Sequence, residues 1–175
     1  MMRLGDDKIT LRALEPEDIE LLYSWENDTE LWQVSNTLAP FSKYVLTQFI
    51  ESQMQDIYQT RQMRLVIESN SEQRPIGTID IFDFDPQNLR AGLGLMIYSP
   101  EDRCLGYASA AVELVCGYCS EVFNLHQLYA NVAADNMPSV NLFRKCGFDE
   151  IARKSDWLKV GGKWQDELMF ARILE

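Results

Sequence analysis

The segment Arg103-Cys104-Leu105-Gly106-Tyr107-Ala108-Ser109 lies between an apolar, strand-like run and a long amphipathic segment. A small-residue loop that opens a helix leaves the first backbone N–H groups without intrahelical partners. Those donors, with the positive end of the helix dipole, suit a phosphate or pyrophosphate. Glycine at 106 lets the backbone approach such an anion, where a side chain would obstruct it. Asn136-Met137-Pro138-Ser139 and Lys145-Cys146-Gly147-Phe148 follow downstream. Asn136 also fits the N-cap of a short helix, and Arg144 and Lys145 are either solvated helix residues or a source of positive charge for the anion. The dinucleotide fingerprint G-x-G-x-x-G is absent, which removes that alternative.

Cys116-Gly117-Tyr118-Cys119 has metal-like spacing, but no second such pair accompanies it, and His126 is the only histidine. The pair falls inside a helical pattern, where cysteines serve as small apolar packing residues, so no metal is expected. The formal net charge of -11 and a pI near 4.5 argue against nucleic acid as a partner. Such acidity keeps a protein soluble and would attract a cationic substrate such as a polyamine. A polyanionic ligand then needs a locally positive site.

The length of 175 residues with 46% apolar content fits one domain spanning 1–175. No run of about 18 apolar residues is present, so no membrane partner is expected. Met1 to Asp7 lacks the apolar region of a secretory signal, and a cytoplasmic location follows. Lys8–Ala13 reads as a strand, and Pro16 opens a helix to about Asn27. The stretch 29–41 reads as irregular. Ser42 caps a second helix with Val45, Leu46, Phe49, Ile50, Met54 and Ile57 on one stripe. Strands are predicted at 63–68, 76–84 and 91–98, the last near-continuously apolar and therefore central. A helix follows over 107–122, a strand over 126–133 and a helix over 136–145, closed by Gly147. Strands over 148–159 and 164–174 join through Gly161-Gly162.

This order and these residues resemble the GNAT superfamily of N-acetyltransferases. The likeness is to the branch containing spermidine acetyltransferases and ribosomal-protein N-terminal acetyltransferases. It runs from Ile9-Thr10-Leu11-Arg12-Ala13-Leu14-Glu15-Pro16-Glu17-Asp18 to Gly161-Gly162-Lys163-Trp164-Gln165-Asp166-Glu167 and is strongest from Leu93 to Phe148. The resemblance implies an α/β fold: a mixed, mostly antiparallel, twisted sheet of about seven strands, helices on both faces and splayed central strands. It implies acetyl-CoA as co-substrate and no metal. Arg103, Gly106 and Ala108 match the family's Gln/Arg-x-x-Gly-x-Gly/Ala loop. Cys104, Leu105, Tyr107 and Ser109 complete that loop, and Met96, Ile97 and Tyr98 would flank the pantetheine arm, added like an extra strand. Asn136, Ser139, Phe143 and Lys145 complete the implied cofactor contacts.

The implied reaction is direct attack of a neutral amine on the acetyl thioester, with a polyamine-like small amine as acceptor. A protein N-terminus as acceptor, or a noncatalytic acyl-CoA-binding module, are the alternatives. Asp83 and Asp80 are the implied catalytic bases. Glu26, Asp28 and Glu30 offer an acidic rim, and Trp25, Trp32 and Phe41 either line an acceptor pocket or pack in the core. The chain departs from the family at three places. Phe143 stands where many relatives carry a tyrosine general acid, and Gly92 where many carry an acid. The segment 34–40 lacks the acidic pair expected of a spermidine enzyme. Tyr129, Tyr98 and Ser139 remain as sources of a hydroxyl proton. Relatives in this branch dimerise, which makes the last two strands, with Leu168, Met169, Phe170 and Ile173, either a homodimer surface or core.

Overall fold

The computed structural model describes residues 4–35 and 37–174, with the backbone alone for Gln33. Met1–Arg3 of the N-terminal segment and Asn36 of the 34–40 segment lie outside the described residues. The strands are β1 (Ile9–Ala13), β2 (Met63–Ser69), β3 (Arg74–Asp85), β4 (Arg90–Ile97), β5 (Gln127–Ala133), β6 (Asp149–Val160) and β7 (Lys163–Ile173). They form one seven-stranded sheet in the order β1-β2-β3-β4-β5-β7-β6. Every neighbouring pair is antiparallel except β4 and β5, which run parallel. The apolar run at 91–98 is thus the middle strand, with a neighbour on each edge and both faces occupied.

Strand alternation assigns the faces. Leu65, Ile67, Ile79, Ile81 and Leu93 join the larger core with Ala111, Val112 and Val115 of helix α5 (Tyr107–Glu121). Val140 and Phe143 of α6 (Met137–Lys145) enter the same core. On the opposite face Val66 packs with Leu22 of α1 (Ile19–Glu26) and with Leu46 and Ile50 of α3 (Lys43–Ser52). Helices therefore cover both faces, but α1 and α3 cover only the β1–β3 side of theirs.

Two segments differ from the sequence expectation. The apolar stripe of α3 stops early: the helix ends at Ser52, and Met54 is 89% exposed. Asp56 then starts a separate turn, α4 (Ile57–Thr60), by accepting the Tyr58 N–H. Gln53 explains the break, because its side-chain oxygen accepts the N–H of Arg64 on β2 at 2.8 Å. The irregular 29–41 stretch contains one helical turn, α2 (Trp32–Ser35), anchored by the Trp32 indole on the Glu26 carbonyl at 3.0 Å. The hairpin between β6 and β7 closes through Gly161 and Gly162, both at positive φ (56° and 81°), as a two-residue turn of this hand demands.

The Arg12-to-Asp18 part of the opening motif is structural. Asp18 is buried at 7% exposure and takes two hydrogen bonds from the Arg12 guanidinium (2.7 and 2.9 Å) and one from the Glu15 N–H. Arg12 also donates to Glu68 on β2 at 2.6 Å. One guanidinium thus ties β1, β2 and the entry to α1 together. Burial by itself would raise the Asp18 carboxyl, and the Arg12 and Glu15 donors outweigh it and hold it below the usual range. A carboxyl lowered on folding contributes stability above its unfolded value and loses it as pH falls through the folded one. Asp18→Asn should therefore cost about 1–2 kcal/mol at neutral pH, read by denaturant titration. The difference from wild type should shrink as pH falls below the ordinary aspartate value of about 3.9.

Candidate active site

The parallel pair β4–β5 is short. Arg90, Ala91 and Gly92 register with Gln127, Leu128 and Tyr129, and no further residues pair. β4 continues to Ile97 along β3, and β5 continues to Ala133 along β7. The two strands form a fork whose apex is Gly92–Tyr129 and whose mouth opens toward Ile97 and Ala133. Beyond the apex, one row of β4 peptide groups faces the gap without a strand partner. Such groups call for a hydrogen-bonding occupant, and an extended amide-bearing chain supplies one.

At the mouth, α5 begins on Gly106, whose φ is +87°. Ala110 closes the first helical bond onto the Gly106 carbonyl, so the Tyr107, Ala108 and Ser109 N–H groups project from the helix end. A Cβ at Gly106 would lie 2.9 Å from the Lys8 ammonium. Lys8, Asp6, Gly106, Ser109, Glu113 and Lys145 line a cleft of about 440 Å³ there. Among the described residues, Lys8 and Lys145 have no ion-pair partner, whereas Glu113 is paired with Arg172 at 2.9 Å. Asp6 accepts the Lys8 and Ile9 N–H groups. The cleft is therefore a locally positive spot in an acidic chain, and it fits a phosphate-bearing ligand. Lys8 was not evident from the sequence, since only its position over the loop distinguishes it from any exposed lysine.

Arg103 takes another position than the phosphate one expected of it. Its guanidinium donates to the carbonyls of Ile97 (3.2 Å) and Tyr98 (3.0 Å), binding the loop to the end of β4. Cys104 and Leu105 are exposed, and Cys104 has a φ of +63°. Tyr107 is buried beside Ser69, and the Ser109 hydroxyl donates to the Gly106 carbonyl. Asn136 accepts the Ser139 N–H as the N-cap of α6. Phe143 is 4% exposed, packed against the rings of Phe148 and Phe170. Met96 is half-buried on β4.

On the sheet face carrying α1 and α3, Gly92 and Gly94 lie beneath the Phe82 ring. Gly92 has a steric cause: a Cβ there would be 2.3 Å from the Phe82 ring. The space that many relatives give to an acid is filled by an aromatic ring. Asp80 and Asp83, the two candidate bases, have different partners. Asp80 is bound in two places by Arg64 (2.7 and 3.0 Å), which also pairs with Glu26. Burial by itself would lower the Arg64 charge, and the two carboxylates more than restore it. Glu26 therefore belongs to this network, while Asp28 and Glu30 are exposed. Arg64 was missed because its pairing joins β2, β3 and α1 across 16 and 38 positions. Trp25 stacks on Tyr98 at 4.0 Å, and Phe41 packs in the smaller core.

Asp83 sits in a bulge of β3 with a φ of +47°. Its carboxylate is exposed and accepts a hydrogen bond from Tyr129 Oη at 3.1 Å. Burial first, and the Asp83 charge second, push the Tyr129 phenol up to about 12. Cys116 and Cys119 lie in the core, and burial pushes both thiols up to about 12.

Comparison with known proteins agrees with this geometry. The chain is 24% identical over 161 residues to the spermidine N(1)-acetyltransferase of Vibrio cholerae, covering 92% of this chain and 90% of that one. It superposes with a TM-score of 0.86 and 23% identity on the crystal structure of spermidine N-acetyltransferase from Vibrio cholerae in complex with CoA and spermine, covering 97% of each chain. It also matches a dodecameric structure of spermidine N-acetyltransferase from that organism, with a TM-score of 0.79 and 23% identity over 97% of this chain and 95% of the other. The family model described as acetyltransferase (GNAT) domain matches residues 8–149. A forked sheet, an anion-ready helix start and that match place this chain in the GNAT acetyltransferase family.

Proposed function

We propose that this acetyltransferase moves the acetyl group of acetyl-CoA to a primary amine of a small polyamine. The observation that carries the reading is the exposed Asp83 carboxylate, held at the apex of the β4–β5 fork. The coenzyme's phosphates fit the Gly106 cleft with Lys8 and Lys145, and its amides fit the unpaired edge of β4. The acceptor approaches from the side of the exposed Asp83 carboxylate. Acceptor amines of pKa near 10 are almost wholly charged at neutral pH, so a carboxylate at that point binds the ammonium and accepts the proton that the amine nitrogen gives up after attack. Asp80 is set aside as the base, because Arg64 already satisfies its carboxylate. The similarity to enzymes named for spermidine supports the acceptor class.

The described residues act in this reading as one domain. No helix among them is long and apolar enough to cross a membrane, and their four cysteines are free, in keeping with a reducing cytoplasm. Self-association belongs to the same reading. β6 is an edge strand with Ile151 54% and Trp157 59% exposed, a surface of the kind that pairs with another chain.

The deciding experiment follows CoA thiol release from acetyl-CoA across spermidine, putrescine, aminoglycosides and peptides with free N-termini. Polyamine-dependent release supports the proposal, and peptide-dependent release selects protein N-termini instead. Coenzyme binding without release from any amine marks a noncatalytic acyl-CoA module. Asp83→Asn should lower kcat by about 10²–10³-fold while leaving acetyl-CoA affinity unchanged by calorimetry. Lys8→Ala should raise KM for acetyl-CoA about threefold to tenfold, equivalent to ~1 kcal/mol of charge pairing. That effect should fade between 0.05 and 0.5 M salt, roughly as a partly exposed ion pair is screened.

A further inference from the structure

Acetyl transfer expels a thiolate, and the place where relatives carry a proton donor is apolar. The ring of Phe143 lies 5.2 Å from that of Phe148 and 6.3 Å from that of Phe170, with no hydroxyl to offer. The space beside Gly92 is taken by Phe82. Among the three hydroxyl side chains considered for this step, two are placed elsewhere. Tyr98 is stacked on Trp25 at the mouth of the fork, with its Oη 3.3 Å from Thr78. Ser139 lies in the first turn of α6. Tyr129 stands at the apex itself, in register with Gly92 at the last β4–β5 pair.

Its surroundings fix the ring. Phe82, seated over Gly92, meets Tyr129 edge to face at 6.1 Å and 82°. The hydroxyl proton is directed at Asp83 Oδ2, 3.1 Å away. The other charge acting on the phenol is Arg90, which opposes the effect of Asp83 and itself pairs with Asp85 at 3.4 Å.

We propose that Tyr129 is the catalytic acid that protonates the departing thiolate and regains its proton from Asp83. The proposal rests on the acetyl-transfer reading above. One ammonium proton of the acceptor leaves to solvent before attack. The amine lone pair then forms the C–N bond to the thioester carbon. As the adduct loses its second proton to Asp83, the C–S bond breaks and the sulfur electron pair takes the Tyr129 proton. The phenolate oxygen recovers a proton from Asp83 across the existing hydrogen bond. The products are the amide, the free thiol and one proton in solution. The pairing also times the transfer. The negative Asp83 helps keep the proton on the phenol, and neutralising Asp83 removes that hold at the moment the thiolate forms.

The test is Tyr129→Phe together with fluorotyrosines placed at position 129, which change phenol acidity while nearly preserving shape. Tyr129→Phe should lower kcat about 10²-fold and leave acetyl-CoA affinity within twofold by calorimetry. Across the fluorotyrosine series, kcat should vary steadily with phenol acidity. A Tyr129→Phe enzyme that keeps more than half its kcat overturns the proposal. A series whose kcat is flat overturns it also, even if Tyr129→Phe is impaired, because the ring would then serve packing alone. A wild-type chain that turns over no amine in the panel overturns the acetyl-transfer reading, and this assignment with it.

Discussion

Three residue pairs hold β4 to β5, and then the strands part. That short ladder is the constraint on which the site depends. Backbone N–H and C=O groups must be satisfied somewhere, and a fork in the middle of a sheet leaves a row of them facing a gap. Each neighbour keeps its other edge paired, β4 with β3 and β5 with β7, so the gap can persist without unravelling the sheet. The loop after β4 then starts α5 at the mouth of the same gap. One parting of strands thus brings together an unpaired strand edge, a helix N-terminus and an apex where two side chains meet.

Charge is arranged against the sign of the whole chain. With a net charge of -11, most lysines and arginines are drawn to carboxylates. Arg12 secures Asp18 and Glu68, Arg64 secures Asp80 and Glu26, and Arg172 secures Glu113. Among the described residues Lys8 and Lys145 stay without acidic partners, and both line the cleft beneath the α5 start. Pairing elsewhere is therefore what leaves positive charge at that cleft. The same pairing engages the Asp80 carboxylate and leaves that of Asp83 exposed.

The departures from the family pattern are linked by packing. Gly92 has no side chain because the Phe82 ring occupies its space, and Phe82 in turn orients Tyr129. Phe143 lies in an aromatic cluster with Phe148 and Phe170, where a hydroxyl would need a partner of its own. Loss of polar groups at two positions thus coincides with a rigid hydroxyl–carboxylate pair at a third.

Read alone, the sequence determined the features that depend on neighbours along the chain. Hydrophobic periodicity located all seven strands and the main helices, Gly161-Gly162 marked the hairpin, and Arg103–Ser109 marked the loop that starts α5, because each is a local backbone requirement. The early end of α3 was not legible, since it follows from Gln53 bonding to a strand 11 residues away. The partners of Arg64, Asp80 and Tyr129 and the place of Lys8 were decided only in three dimensions. Arg64 meets Glu26 38 positions away, and Tyr129 meets Asp83 46 positions away. Whether a carboxylate is free or neutralised depends on the charge that sheet pairing sets beside it, and that distance does not exist until the chain has folded.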